Sequence, residues 1–258
     1  MNQVILIGKS ILFSILLMEW ERKLTPEIEI EAFYDADNYE KNLWISVFNA
    51  CVEVTEPSVF FNPDDYSFIK EFISRKEEIT REYKNYSRFY YPVSYKVFDD
   101  SIIEHEANTG DYDYQVVKYY NNIEKTCYWY PVLSRLLGKY PEIETGFFSK
   151  ITGPLKIKTH RGPYRGLIRG HITIETSDTN DSKLVVLNAT DLKWNKGGAF
   201  VFDDTYYHRL DKTDDGTRVS FIFDIKRKFK SENMNSMNDI IIKGLRESDY
   251  VQECYEKL

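Results

Sequence analysis

Cysteine is scarce in this chain. There are three in 258 residues, Cys51, Cys127 and Cys254, widely spaced and without a C-x-x-C pair. That excludes a disulfide framework and a zinc knuckle, and it points to a reducing compartment, the cytoplasm. A polybasic stripe is also lacking. Net charge is −7, from 41 acidic and 34 basic residues, which argues against nucleic acid as a partner. The richest basic run, Lys226-Arg227-Lys228-Phe229-Lys230, reads as a solvated element end. No apolar run reaches the roughly 20 residues of a bilayer span. The nearest is Val4 to Met18, interrupted by Gly8, Lys9, Ser10 and Ser14, with no basic residues before it. A cleaved signal peptide is not the expectation. The expectation is a buried helix or strand pair, with a membrane anchor through residues 4–18 as the alternative. Internal repeats and low-complexity linkers are absent.

What is present suits a folded globular protein with a sizeable core: 42% hydrophobic and 29% charged residues. Asn62-Pro63-Asp64-Asp65 is a helix start, with Asn as cap, Pro in the first position and acids in the first turn. Phe68, Ile69, Phe72, Ile73, Ile79 and Tyr83 then recur at helical spacing. Tyr130-Pro131 opens a short helix running through Leu137, with Gly138 as its end. From Glu144 the texture changes to short β-rich runs with turn signals. Strands are expected near 144–151, 155–160, 166–175, 183–188, 198–203, 206–211 and 217–225. A C-terminal helix follows from about Met237. The expected organisation is an apolar segment 1–18, a helical and irregular part 19–125, a β catalytic core 126–228 and a helical tail 229–258.

Only four histidines occur, and His160, His171 and His208 lie within the β-rich half. On a strand the side chains alternate faces, so Arg169, His171, Thr173 and Glu175 share one face, and Ile168, Ile172 and Ile174 the other. If residues 206–225 form one regular hairpin, His208 and Arg218 stand directly opposite each other, with Cβ atoms roughly 5 Å apart. Imidazole is a ligand for Fe(II) and Zn(II), and an Fe(II) oxygenase uses two histidines and a carboxylate. His160 and His208 could be that pair, but the position two residues after His160 is Gly162. Arginine in a fixed fork grips a carboxylate. Each residue also has a plain structural reading: Arg218 could pair with Asp224 or Asp204, and Asp203-Asp204 could be a turn.

These residues resemble the aspartyl/asparaginyl β-hydroxylase family, from about Tyr114 to Ile225. The resemblance is carried by Tyr130-Pro131, Phe148-Ser149, Gly153-Pro154, His160-Arg161-Gly162-Pro163, Arg169-Gly170-His171, Gly198, Phe202-Asp203-Asp204 with His208, and Arg218 followed by alternating apolars. It implies a mainly β fold, a double-stranded β-helix (jelly roll) core with flanking α-helices. It implies Fe(II), 2-oxoglutarate and O2, and hydroxylation of an unactivated C–H bond, first of all the β-carbon of an Asp or Asn residue. By position, His160 and His208 match the iron ligands, and Gly162 matches a family habit of lacking the carboxylate ligand. Ser149 and Arg218 match the residues holding the distal carboxylate of 2-oxoglutarate. Arg169 and His171 match residues near the metal-side end of the cosubstrate, and Asp204 matches an acid of the pocket beyond the metal's own ligands. One departure stands out: Leu167 lies where members often carry another arginine, which weakens the case for an acidic substrate. Rival readings are a lipid acyl-chain hydroxylase of the same family, a three-histidine cupin using His160, His171 and His208 without 2-oxoglutarate, and a non-catalytic jelly-roll binding module.

Overall fold

The computed structural model describes residues 39–86, 93–94, 110–120, 122–123, 128–177, 181–187, 189–249 and 251–252. The apolar segment 4–18, Cys127 and Cys254 lie outside them.

The β-rich half folds as two antiparallel sheets. In chain order its strands are β1 (Phe60–Phe61), β2 (Val93–Ser94), β3 (Asp111–Tyr119), β4 (Asn122–Ile123), β5 (Ile143–Thr152), β6 (Leu155–His160), β7 (Leu167–Thr176), β8 (Ser182–Val186), β9 (Leu192–Lys193), β10 (Ala199–Phe202), β11 (His208–Lys212) and β12 (Thr217–Lys226). The larger sheet has the order β1-β10-β7-β12-β5-β3-β2, with β4 beside β3, and the smaller has the order β6-β11-β8-β9. From β5 to β12 the chain winds between the two layers, so β5, β7, β10 and β12 stand in one and β6, β8, β9 and β11 in the other. That winding is a double-stranded β-helix, or jelly roll. The crossing from β5 to β6 is tight. Gly153 makes it at φ +76°, a conformation open to glycine and costly for other residues.

The helices are α1 (Tyr39–Thr55), α2 (Ser67–Ser74), α3 (Lys76–Tyr86), α4 (Pro131–Lys139) and α5 (Glu232–Arg246). The run predicted as one helix from Asn62 is divided. Asn62 does cap, accepting from the Asp64 N–H at 3.1 Å, but it caps a 3-10 turn, Pro63–Asp65. The chain is extended at Tyr66 and breaks again at Arg75 (φ −109°, ψ 11°). The apolar spacing survives because α2 and α3 cover the same surface. Gly138 lies inside α4 and does not end it: the cap is Tyr140, whose N–H donates to the Leu136 carbonyl.

Three apolar clusters hold the layers together. Phe68, Phe72 and Ile79 pack with Leu133, Leu137 and the strand residues Phe148, Phe221 and Phe223, so odd positions of β12 face the helices. Each fully buried side chain of this size contributes about 1.5–3 kcal/mol. Between the sheets lie Ile151, Ile157, Leu184, Val186, Trp194, Phe202 and Leu210. A third cluster joins α1 and α5 through Phe48, Tyr164, Phe229 and Ile242. Asn238 of α5, fully buried, accepts from the Tyr164 hydroxyl at 2.5 Å and donates to the carbonyls of Gly166 and Arg227. Asn49 of α1 holds Pro163 and Arg165. The loop after His160 is thereby fastened from both sides.

One further expectation is corrected. The basic run 226–230 is not merely a solvated end. Arg227 is buried, donates to Asp203 at 3.1 Å and to the Glu56 carbonyl, and lies against Phe61 and Phe229.

Candidate active site

His160 ends β6 and His208 begins β11, and the two are direct partners across the strands. Their ring centroids are 4.3 Å apart. Each ring Nδ1 meets a backbone carbonyl two residues earlier, Lys158 for His160 and Tyr206 for His208, both at 2.8 Å. A carbonyl only accepts, so each Nδ1 carries a proton, and in a neutral ring the lone pair then belongs to Nε2. This outer hydrogen bond is the arrangement that orients a metal-binding imidazole. Burial, then repulsion from His160, holds the His208 pKa well below the usual histidine range. The ring stays neutral and able to ligate.

The position two residues after His160 has no room for a ligand. A Cβ added at Gly162 would lie 2.5 Å from both carboxylate oxygens of Asp204. The Gly162 N–H also donates to the Asp204 carbonyl at 2.7 Å. Asp204 in turn pairs with Arg169 Nη1 at 3.2 Å. Arg169 donates to Asp224 through Nε at 2.8 Å and Nη2 at 3.0 Å. One guanidinium therefore serves two carboxylates. Burial alone would lower the Arg169 pKa, but Asp224 and Asp204 outweigh it and the pKa is raised. Asp204 is pushed up to about 7, by burial first, with Arg169 opposing and Asp224 and Asp203 adding repulsion. Among the described residues no three His, Cys, Asp or Glu side chains come close enough to hold a metal ion together. The donor set available is the histidine pair, with His171 apart from it.

The far end of the cleft is built differently. Even positions of β12 turn away from the helices, which brings Arg218 inward. It is 1% exposed, its guanidinium carbon lies 3.8 Å from the centre of the Trp194 ring, and its Nε and Nη1 have no hydrogen-bond partner. Burial lowers its pKa to about 10, against the pull of Tyr112 and Asp214. Ser149 Oγ, also fully buried, makes no hydrogen bond. The Tyr112 phenol is near enough for Ser149, Arg218 and Arg169 to offset part of the burial that raises its pKa, yet no well-aligned bond to Ser149 forms. Buried donors without partners are costly, and a bound anion would satisfy them.

Ring contacts link the two ends. His208 meets Phe202 at 5.2 Å, Phe202 meets His171 at 6.0 Å, and His171 meets Trp194 at 5.6 Å. His171 lies flat against Phe200, with centroids 4.7 Å apart and planes at 16°. Its Nδ1 has no partner. Burial, with Arg218, Arg169 and His208 adding repulsion, keeps it neutral.

The fold brings His160, His208, His171, Arg169, Asp204, Arg218 and Ser149 to one cleft, but not as a hairpin. β11 and β12 lie in different sheets, so His208 and Arg218 are not cross-strand partners but stand in opposite layers, at the two ends of the chain of ring contacts. Asp224, expected as a partner of Arg218, belongs to Arg169. Trp194 was not singled out from the sequence. It sits in the loop after β9, and no spacing ties it to Arg218.

Residues 75–228 match the model of the family described as aspartyl/asparaginyl beta-hydroxylase. Part of the chain is similar to an ornithine lipid ester-linked acyl 2-hydroxylase of Rhizobium tropici, 32% identical over 93 residues, 36% of this chain and 33% of that protein. The chain thus spans a third of the length of that relative. Among solved structures, a prolyl-4-hydroxylase of Pseudomonas putida is similar over 72% of this chain and 100% of its own, at 10% identity and TM-score 0.38. A 2OG-Fe(II) oxygenase family oxidoreductase of Burkholderia pseudomallei is similar over 47% and 71%, at 12% and 0.36. These two likenesses are loose, and nothing is built on them. The family match covers more than half of the chain and includes both histidines of the pair, Gly162, Arg169, Asp204 and Arg218, so this protein belongs to the aspartyl/asparaginyl beta-hydroxylase family.

Proposed function

We propose that the chain is an Fe(II)- and 2-oxoglutarate-dependent dioxygenase that hydroxylates an unactivated C–H bond. The observation that carries this is the pairing of two ends in one cleft. At one, two partnered histidines are each oriented by a backbone carbonyl through Nδ1, which turns Nε2 away from that bond. At the other, a buried arginine has open donors. A two-carboxylate, metal-chelating cosubstrate fits that polarity.

Bound Fe(II) would supply the oxygen activation and C–H oxidation, with 2-oxoglutarate converted to succinate and carbon dioxide. His160 and His208 would hold the metal. Gly162 leaves that side of the site to Asp204, whose carboxylate is fixed by Arg169. Arg218 and Ser149 would receive the distal carboxylate in a site dry enough for the charge pair to count. His171, neutral and pressed on Phe200, would offer a ring nitrogen to the cosubstrate between them. Arg169, engaged by two acids, would act as the clamp that sets Asp204, with little left to give the cosubstrate.

Among an Asp or Asn side chain in a polypeptide, a fatty acyl chain on a lipid and a small-molecule substrate, the second has the most support. Leu167 replaces a cation and packs beside the cluster between α1 and α5, and the Rhizobium relative is named for acyl 2-hydroxylation. Membrane association through residues 4–18 belongs with this reading. Among the described residues no helix is long and apolar enough to cross a membrane.

The test is succinate formation from 2-oxoglutarate with Fe(II), ascorbate and oxygen, beside a His208→Ala control. Turnover lost in the control is the expected result. Iron bound without 2-oxoglutarate consumption, with or without acyl lipid, would favour a cupin-type enzyme. Neither iron nor turnover would leave a binding module.

A further inference from the structure

Ser220 has no part in any motif, yet it stands in the same cradle as Arg218 and Ser149. It lies two residues along β12 from Arg218, so it shares the inward face. In the ladder it is the direct partner of Ser149 on β5 and of Thr173 on β7. It is 0% exposed, and its hydroxyl has no hydrogen-bond partner. A serine buried without a partner is destabilising, and alanine would fit the strand without that cost. Four buried polar atoms therefore lack partners in one small region: Arg218 Nε and Nη1, Ser149 Oγ and Ser220 Oγ. Trp194 covers a face of the guanidinium, which leaves its edge for a ligand. An open arginine edge and two hydroxyls suit the lone pairs of one carboxylate better than arginine and a single serine do.

We infer that Ser220 is a cosubstrate-contacting residue, the second hydroxyl donor to the distal carboxylate, and so part of what selects a five-carbon dicarboxylate over a monocarboxylate oxo-acid. This rests on the 2-oxoglutarate reading of the cleft.

The test measures binding, not turnover. The Fe(II)-loaded protein, kept free of oxygen, is titrated with 2-oxoglutarate and separately with 2-oxopentanoate, which has the same keto-acid end and no distal carboxylate. Calorimetry and tryptophan fluorescence both report, the latter because Trp194 lies against Arg218. Ser220→Ala is expected to bind 2-oxoglutarate about tenfold more weakly, the scale of one hydrogen bond to a charged group, and to bind 2-oxopentanoate as the unaltered protein does. Equal weakening of both ligands would mean a structural role and overturn the inference. So would unchanged binding of both, with the 2-oxoglutarate reading left standing. If the unaltered protein binds neither ligand, that reading falls and the inference with it.

Discussion

The two ends of the cleft each carry an arginine, part-buried Arg169 and fully buried Arg218, and the two are treated in opposite ways. Arg169 is saturated: Asp224 takes two of its nitrogens and Asp204 the third. Arg218 is left open, with Nε and Nη1 unpaired and Trp194 against its face. Burial acts on both, and the neighbours decide the outcome. Carboxylates raise the pKa of the first, whereas the second is lowered to about 10. A saturated arginine is framework, holding two acids that would otherwise repel each other. An open one fits the proposed ligand site, where its desolvation cost would be recovered when an anion arrives. In that reading the same residue type on the same sheet serves structure at one end and recognition at the other.

That contrast can be broken most directly at Arg218. Replacing it (Arg218→Met) is expected to weaken 2-oxoglutarate binding more than about a hundredfold, the loss of a bidentate charged contact, while unfolding free energy stays within about 1 kcal/mol because no acid is orphaned. Calorimetry and urea denaturation of the same sample check both halves. Arg169→Leu should do the reverse. It strands Asp204 and Asp224 in a buried site and is expected to cost about 3–5 kcal/mol of stability. If Arg169→Leu proved harmless to stability and fatal only to cosubstrate binding, the two ends would not differ as described.

Gly162→Asp sharpens the role of Asp204. Introducing the carboxylate of a two-histidine, one-carboxylate iron site places a side chain where Asp204 already stands, so the variant should lose about 1–3 kcal/mol by overpacking and gain no metal affinity. Combining it with Asp204→Ala should recover part of the stability. Denaturation midpoints and metal titration decide.

Taken per pH unit, the smallest effect is on pH dependence. Asp204 has a folded pKa of about 7, above the roughly 3.9 of the unfolded chain. Its protonated form favours the folded state, so that contribution is full below about pH 4 and is lost as pH rises towards 7. Metal-free protein should therefore lose up to about 1.4 kcal/mol per pH unit across that window from this one group. Asp204→Asn should flatten the slope in denaturation measured from pH 4.5 to 7.5.

The sequence by itself determined the periodicities and the chemistry. Short β-rich runs between turn signals marked the strands of the jelly roll almost to their ends, missing the two-residue β9, because Gly, Pro, Asn and Asp gather where the chain must reverse. The set His160, Gly162, Arg169, His208 and Arg218 was visible as unusual residue types in a β scaffold. Tertiary structure decided what each of them touches. Alternation fixes which face a side chain takes and says nothing of which sheet its strand joins, since those pairings are between residues far apart in the chain. The run from His208 to Arg218 therefore looked like a hairpin, although its two strands cross between layers. For the same reason Asp224 went unmatched to Arg169, and Trp194 and Ser220 carried no signal: their meaning lies in neighbours on other strands, which only the packed sheets bring within reach.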